Sequence, residues 1–322
     1  MMPRWVSRTA GVACLSALGA VLLVAILWNS YTTYVANLVL INAIAALGLI
    51  VLTGVAGQLS LATAGLMAVG AYACAILMGR YGVPFVVAVP VSSGLTAVVG
   101  GLLTLPALRL GGLHLAIVTL ASGVIIVQVI GKAGPFTGGM SGLTVDTPTI
   151  LGFAFDTEPR RLCGLGLVFF AVATVTWNIR RLKPGRALLG LRQREDMAQM
   201  LGVDTRAYKA LAFAYSSFLA GLAGALYAGA KSYISVDDFT IWNSIYFYVM
   251  ISVGGATSVL GGVVGALFVT ALPEVLRGLD EAAQAVFGVI LVLVIVFLPN
   301  GVVPPLKDLW YARIVRPPGT DR

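Results

Sequence analysis

Charged side chains are scarce in this sequence. Lys, Arg, Asp and Glu make up 11% of its 322 residues, and hydrophobic residues make up 59%. A soluble globular domain is about a quarter charged and about half apolar. With so few charges a folded soluble domain would not cover its surface, whereas a chain surrounded by lipid has no such need. The composition, with a mean hydropathy of +0.95, therefore predicts a membrane protein.

Histidine and cysteine are also rare, with one histidine (His114) and three cysteines (Cys14, Cys74 and Cys163). A single histidine argues against a histidine-based metal centre. The cysteines form no CxxC pair and lie within apolar runs, which is typical of small hydrophobic residues in packed helices. We therefore predict no disulfide, no metal site and no cofactor.

Catalytic motifs are missing as well. The sequence contains no GxxxxGK[ST], no HExxH and no GxSxG, and no predicted span holds paired carboxylates. Buried acids and bases mark the proton relays of pumps and carriers. The acids nearest to the membrane instead fall at predicted external ends of spans: Asp237, Asp238, Glu274, Asp280 and Glu281. We therefore predict that the chain is not an enzyme and that another protein supplies the energy for transport.

Long apolar segments are what the sequence does have. The first follows Arg4 and Arg8 and lacks a small-x-small cleavage site, so we interpret it as an uncleaved span. Whether 241–277 forms two spans or one span and a re-entrant segment stays open. Segments of this length predict ten membrane helices, near 9–28, 33–53, 59–79, 85–106, 113–131, 162–179, 209–229, 241–254, 259–277 and 284–299.

Basic residues predict the orientation of these spans. If the N-terminus is cytoplasmic and all ten segments cross, 15 of the 21 lysines and arginines lie inside and six lie outside. This asymmetry follows the positive-inside rule and predicts that both termini are cytoplasmic. Because the basic residues are confined to a few inter-span segments, the net charge of +8 does not indicate nucleic-acid binding.

Two inter-span segments are long. The external segment, 132–161, is rich in glycine, proline and threonine, which predicts turns and short irregular structure. In the cytoplasmic segment, 180–208, a turn at Pro184–Gly185 precedes a predicted amphipathic helix over 186–201, with Gly202 as its C′ residue. One face of this helix would carry Leu188, Leu191, Met197, Met200 and Leu201. Such a helix either lies on the membrane surface or docks in a groove of a partner, and both alternatives stay open.

The polar groups within the membrane are mainly hydroxyls, amides and glycines, concentrated in 57–65 and 254–262. Such runs either let helices pack closely or break a helix so that its freed groups face a substrate path. His114 and Gln128 share one predicted span, where interhelical hydrogen bonds are the simpler interpretation. The substrate-path candidates are Gln58, Ser60, Thr63, Gly65, Gly254, Gly255 and Thr257.

Six segments together resemble one family by their order and spacing. They are similar to the branched-chain amino acid ABC transporter permease family, in its LivM-type subunit, over nearly the whole chain. The segments are GQLSLATAGLMAVGAY (57–72), LRLGGLHLAIVTLA (108–121), TGGMSGL (137–143), GRALLGLRQREDMAQMLGVDTRAYKALAFAYSSFLAGLAGALYA (185–228), GGATSVLGGVVGA (254–266) and FLPNGV (297–302).

The resemblance implies an all-α fold, with 1–322 as a single transmembrane permease domain in a bacterial cytoplasmic membrane. It implies a homologous permease partner, two cytoplasmic ATPases and a periplasmic or extracellular binding protein. The segment 186–202 would be the coupling helix. The candidate ATPase-coupling residues are Arg192, Glu195, Asp196, Ala198, Leu201 and Gly202, and those for binding-protein contact are Thr137, Gly138 and Gly139.

Alternatives stay open for the substrate and for the class of transporter. The segment 61–65 lacks the glycine and histidine that are usual in the family, so urea, short amides or another small solute stay open beside branched-chain amino acids. Met197 and Gln199 stand where family members carry small residues. A stand-alone carrier or channel without an ATPase is one further alternative, and a purely structural membrane subunit is another.

Overall fold

The computed structural model of the chain describes residues 30–107, 112–145, 148–150, 153–154, 157–279, 282–298 and 301–303. The predicted span 9–28, Cys14, Asp280 and Glu281 lie outside these residues. The described helices are α1 (Ser30–Leu49), α2 (Thr63–Tyr81), α3 (Phe85–Ala107), α4 (Gly112–Lys132), α5 (Gly134–Thr137), α6 (Glu158–Arg181), α7 (Lys183–Gln193), α8 (Glu195–Met200), α9 (Thr205–Ala230), α10 (Ile241–Gly254), α11 (Val259–Leu276) and α12 (Ala282–Phe297).

The spans agree closely with the apolar segments of the sequence. Seven helices among the described residues are long and apolar enough to cross a membrane, and α1 does so together with the π-helix Ile50–Val55 that continues it. The shorter apolar helices α10 and α12, of 14 and 16 residues, correspond to two further predicted spans. The all-α prediction is confirmed, and the count of about ten spans is supported approximately.

Successive spans run in opposite directions between two ends of the molecule. At one end, Arg80 donates to the carbonyl of Pro135, and Tyr31 at the start of α1 donates to Glu274 at the end of α11. Four short strands lie in the connections of this end, which we name the strand end: β1 (Leu143–Thr144), β2 (Thr149–Ile150), β3 (Phe153–Ala154) and β4 (Tyr233–Ile234). β1 pairs antiparallel with β4, and β2 pairs antiparallel with β3.

The opposite end carries α7 and α8, and we name it the loop-helix end. Arg192 of α7 donates to the carbonyl of Gly54, and Arg180 donates to the carbonyl of Thr257. Near them, the backbone N–H of Val302 donates to the carbonyl of Val253 at 2.8 Å. The segments that the charge pattern assigns to one side of the membrane therefore meet at one end.

The core is built around α9, which packs against α1, α2 and α3. A Cβ atom at Gly70 of α2 would overlap the backbone of Gly221 in α9, and one at Gly224 would overlap the backbone of Met67. Small residues at facing positions let the two backbones approach this closely, as is typical of packed membrane helices. The span formed by α1 and the π-helix is the most deeply enclosed of the seven, with 83% of its most apolar stretch buried inside the protein.

The predicted single helix over 186–201 is wrong. Pro184 and Gly185 lie within the first turns of α7 and form no turn before it, and Arg194 is extended (φ −153°) between α7 and α8. The interruption at Arg194 also divides the predicted apolar face. Leu188 and Leu191 are buried in an apolar cluster with Val51 and Phe213, whereas Met197, Met200 and Leu201 are exposed.

Two other predictions from the sequence concern the segment 241–277 and the external segment 132–161. The segment 241–277 forms two antiparallel helices, α10 and α11, that pack along each other. The external segment consists, where it is described, of α5, a 3₁₀ turn over Gly139–Ser141 and short strands, as its composition predicts. Of the cysteines, Cys74 is buried in the core as predicted, whereas Cys163 is exposed.

Candidate functional site

The backbone between Val55 and Thr63 is not helical, although it lies beside the middle of α4. Leu61 and Ala62 pass against Gly123, which lies at the centre of α4. Non-helical backbone at such depth is tolerated only where protein or a wet cavity satisfies its polar groups. Of the two interpretations left open for 57–65, close helix packing or a broken helix, the structure shows the broken helix, and helix α2 begins at Thr63 rather than at 59.

Two hydroxyl groups satisfy the freed backbone N–H groups at this break. Thr119 of α4 accepts a hydrogen bond from the N–H of Leu61 at 3.1 Å, and Ser244 of α10 accepts one from the N–H of Ala64 at 3.1 Å. Ala64 lies in the first turn of α2, where a helix leaves its N–H groups without intrahelical partners. The break is therefore held by two helices, α4 and α10.

The second glycine-rich run forms the tight connection between α10 and α11. Gly255 has φ +107°, a conformation that side chains disfavour, and Gly254 packs directly on Gly261. A Cβ atom at Gly54 would overlap the carbonyl of Ala256, so this connection touches the end of the π-helix. The second glycine-rich run thus touches the π-helix that precedes the first run, at Gly54 and Ala256.

Arginine side chains tie this meeting point to the loop-helix end. Arg192 of α7 donates to Gly54, and Arg180 at the end of α6 donates to Thr257. Lys209 at the start of α9 is buried and forms an ion pair with Glu195 of α8, with 2.6 Å between Nζ and Oε1. Both short helices are therefore connected by charged side chains to membrane helices.

Helix α8 ends in a Schellman motif at Gly202. The N–H of Gly202 (φ +78°) donates to the carbonyl of Gln199, and the N–H of Val203 donates to Ala198. This confirms Gly202 as the C′ residue, at the end of a shorter helix than predicted. Ala198 is buried beneath this turn, whereas Met200 and Leu201 are 87% and 83% exposed. Asp196 is exposed in the first turn of α8.

The candidate path residues surround the break without all facing one space. Ser60 and Thr63 are buried, and the carbonyl of Gln58 accepts a hydrogen bond from the Thr53 hydroxyl. Thr257 is exposed at the loop-helix end. Of the seven candidates, Gly65 alone lines one of the two cavities described below.

The first cavity, of about 590 Å³, lies between α4, the break and the start of α10. Lys132, Gln128, Asp237, Thr240 and Ser244 are polar residues of its wall. The remaining wall is apolar and is formed by Leu61, Gly65, Leu120, Gly123, Val124, Val127, Gly131, Met140, Val236, Phe239 and Ile241. Gln128, which the sequence marks as a polar residue in a span, therefore faces a cavity, whereas His114 is not among its lining residues.

A second cavity, of about 470 Å³, lies between α1, α2 and α10 to α12. Lys231 and Asp238 in its wall pair with each other at 2.9 Å. Burial on its own would lower the pKa of Lys231, but hydrogen bonds with Tyr227 and Asp238 outweigh it and raise that pKa. Lys231 stays charged, and its charge is compensated within the protein.

Thr137, Gly138 and Gly139 lie at the strand end. Thr137 is buried, and its hydroxyl donates to the carbonyls of Ile130 and Ala133 at the end of α4. Gly138 and Gly139 have φ values of +68° and +60°. These three residues form a turn, and their contact with a binding protein stays a prediction.

Thr119, Ser244, Arg180 and Lys209 are site residues that sequence reasoning missed. Thr119, Ser244 and Arg180 bond to partners 58, 180 and 77 residues away, and Lys209 pairs with Glu195, 14 residues away. The only available signal is a hydroxyl or a basic residue within or at the edge of an apolar segment, which is common in membrane helices. Within the described residues, no group of three or more His, Cys, Asp or Glu side chains is placed to hold a metal ion.

A bundle of apolar helices with broken backbone inside and a cavity beside the break defines a multi-pass membrane protein of the transporter class. The chain belongs to the family described as "Branched-chain amino acid transport system / permease component", whose model matches residues 31–299. The resemblance seen in the sequence is therefore confirmed.

Similar proteins agree with this family. The high-affinity branched-chain amino acid transport system permease protein LivM of Escherichia coli K12 is 30% identical over 314 aligned residues, covering 88% of this chain and 74% of that protein. A probable branched-chain amino acid transport permease protein LivM of Methanocaldococcus jannaschii is 26% identical, covering 68% of each chain. The autoinducer 2 import system permease protein LsrC of Escherichia coli K12 is 29% identical over about half of each chain. No solved structure matches the chain.

Proposed function

We propose that this chain is one permease subunit of an ATP-powered, binding-protein-dependent importer for branched-chain amino acids. A homologous permease would complete the channel, two cytoplasmic ATPases would power it, and a periplasmic or extracellular binding protein would deliver the substrate. The family and the substrate that the names of the LivM relatives give support this proposal.

The orientation that we propose has the loop-helix end in the cytoplasm and the strand end outside a bacterial cytoplasmic membrane. The surplus of lysine and arginine in the segments of the loop-helix end supports this orientation. Both termini would then be cytoplasmic. The loop-helix end is also where an ATPase subunit would reach the permease.

Helices α7 and α8 would receive the movement of the ATPases. The observation that carries this proposal is the pair of polar links that these helices make to the membrane segments, from Arg192 to Gly54 and from Glu195 to Lys209. Beside them, the exposed apolar side chains of Met200 and Leu201 offer a surface for docking in a partner's groove. Movement of α7 and α8 would pull on the break and on α9.

A bistable packing of these elements would provide alternating access. The π-helix before the break, the break itself and the α10–α11 connection touch one another around Gly54 and Ala256. Nucleotide binding would favour one arrangement of this region and release the other. The side chain of Arg192 would carry that preference from α7 to the break.

A charged residue at the end of α8 tests the docking surface. We expect Gly202→Asp to abolish ATP hydrolysis stimulated by the loaded binding protein, while the complex still assembles, because a carboxylate would be placed beside Met200 and Leu201. Gly82→Asp is the matched control, since Gly82 also has a positive φ (+63°), caps a helix and has open space around it, but lies at the strand end. Normal stimulated hydrolysis in Gly202→Asp would contradict the docking surface.

A further inference from the structure

We propose that the cavity of about 590 Å³ is a capture site for a zwitterionic aliphatic amino acid, with Lys132 binding its carboxylate and Asp237 its ammonium group. This inference rests on the proposed function and deepens it, because it assigns the substrate to particular residues of this chain. The cavity volume lies within the range of about 300–1,000 Å³ that is typical of small-molecule sites.

On both walls of the cavity, charged residues come first from the strand end, polar residues follow and apolar residues lie deeper. On α4, Lys132 is the outermost residue, Gln128 lies one turn deeper, and Val127, Val124 and Leu120 follow. On the facing wall, Asp237 comes first in the 3₁₀ turn over Val236–Phe239, followed by Thr240 and then by Ile241 and Ser244 in α10. The charges therefore lie towards the strand end, and the apolar surface lies deeper.

The charges of Lys132 and Asp237 are available to a ligand. Neither side chain has an ion-pair or hydrogen-bond partner among the residues that the structure describes. The neighbouring cavity differs in this respect, since its Lys231 and Asp238 neutralise each other. One unpaired cation and one unpaired anion on facing walls of the same cavity match the two charged groups of an amino acid.

The deeper part of the cavity selects the side chain. Its lining from Leu61 through Gly65 and Gly123 to Val127 carries no charged residue, so a charged side chain would lose its hydration there without a partner. An aliphatic side chain would instead be favoured by the burial of its apolar surface. The geometry thus predicts preference for leucine, isoleucine or valine over lysine or glutamate.

The floor of the cavity is the break itself, because Leu61 and Gly65 belong to the segment that Thr119 and Ser244 hold in place. Ser244 contacts both the break and the cavity, because its hydroxyl accepts a hydrogen bond from the N–H of Ala64 and its residue lines the cavity. A rearrangement of the break would therefore open the cavity towards the loop-helix end.

Charge removal in the complete transport complex tests this site. The complex is reconstituted in vesicles with loaded binding protein, and ATP-driven uptake of labelled leucine is measured together with ATP hydrolysis. We expect Lys132→Gln and Asp237→Asn each to lower leucine uptake about ten-fold or more, because each loses one charge-assisted hydrogen bond. Lys132→Arg, which keeps the cation, should retain uptake within about three-fold.

Arg160→Gln is the control, since Arg160 is an exposed cation at the same end but outside the cavity. Stimulated ATP hydrolysis should stay near the wild-type rate in Lys132→Gln and Asp237→Asn. If uptake in both variants equals that of Arg160→Gln, the capture site is wrong and the proposed function stands. A parallel loss of uptake and stimulated hydrolysis would also overturn it, because Lys132 would then act in docking of the binding protein. A wild-type complex that takes up no leucine would contradict the proposed function as well.

Discussion

Single hydroxyl groups decide how the chain keeps a non-helical segment inside the membrane. The N–H groups of Leu61 and Ala64 would each be unsatisfied in an apolar surrounding without Thr119 and Ser244. Several other hydroxyls in the described spans bond to a carbonyl one turn earlier in their own helix, as Ser122 does to Val118. The two kinds look alike in the sequence, so only the fold distinguishes them.

Removal of the Ser244 hydroxyl should destabilise the break. We expect Ser244→Ala to cost about 1–3 kcal/mol, because the buried N–H of Ala64 loses its partner. The measurement is the midpoint of thermal unfolding of the detergent-purified protein, together with leucine uptake. Ser122→Ala is the matched control and should change stability by less than about 0.5 kcal/mol. Equal effects of the two substitutions would contradict the role of Ser244.

At the scale of elements, sequence patterns predict apolar helices well and connections poorly. The bounds of α4 and α9 lie within four residues of the predicted segments, because an apolar run in lipid has few alternatives to a helix. The predicted helix over 186–201 was wrong because its composition favours helix throughout. Burial of Leu188 and Leu191 against Val51, with Arg194 extended beside them, depends on contacts from other parts of the chain.

The candidate site was predicted unevenly for the same reason. Clusters of glycine and hydroxyl residues were compatible with close packing or with a break in 57–65, and the structure shows the break; the glycines at 254 and 255 mark a tight connection. The contact between Gly54 of the π-helix and Ala256 of the second run joins residues about 200 positions apart. No local pattern carries that information.

The α10–α11 hairpin depends on backbone contact at Gly254. A Cβ atom there would overlap the carbonyl oxygen of Gly261, which is backbone and has no free space to move. We expect Gly254→Ala to cost about 1–3 kcal/mol and to abolish uptake, measured by the yield of folded protein and by transport. Gly94→Ala, at a helical glycine with open space around it, should fold and transport normally. Normal transport by Gly254→Ala would contradict close packing of the hairpin.

At the scale of the whole molecule, the arrangement of spans follows from hydropathy and charge. Predicted external segments meet at the strand end, and predicted internal segments meet at the loop-helix end. Between the ends, the cavity, the break and the α7–α8 helices form one connected series through Ser244, Gly54 and Arg192. This series would link the proposed capture site at one end to the proposed docking surface at the other.

The most direct test of this account is uptake of labelled leucine into vesicles that contain this chain, its permease partner and the ATPases, supplied with loaded binding protein and ATP. We expect uptake only when every component and ATP are present, because the chain carries no nucleotide-binding motif of its own. If another small amide or amino acid stimulates ATP hydrolysis and leucine is not taken up, the mechanism stands and the proposed substrate is wrong. Leucine flux through this chain without any ATPase would contradict the central claim and favour a stand-alone carrier.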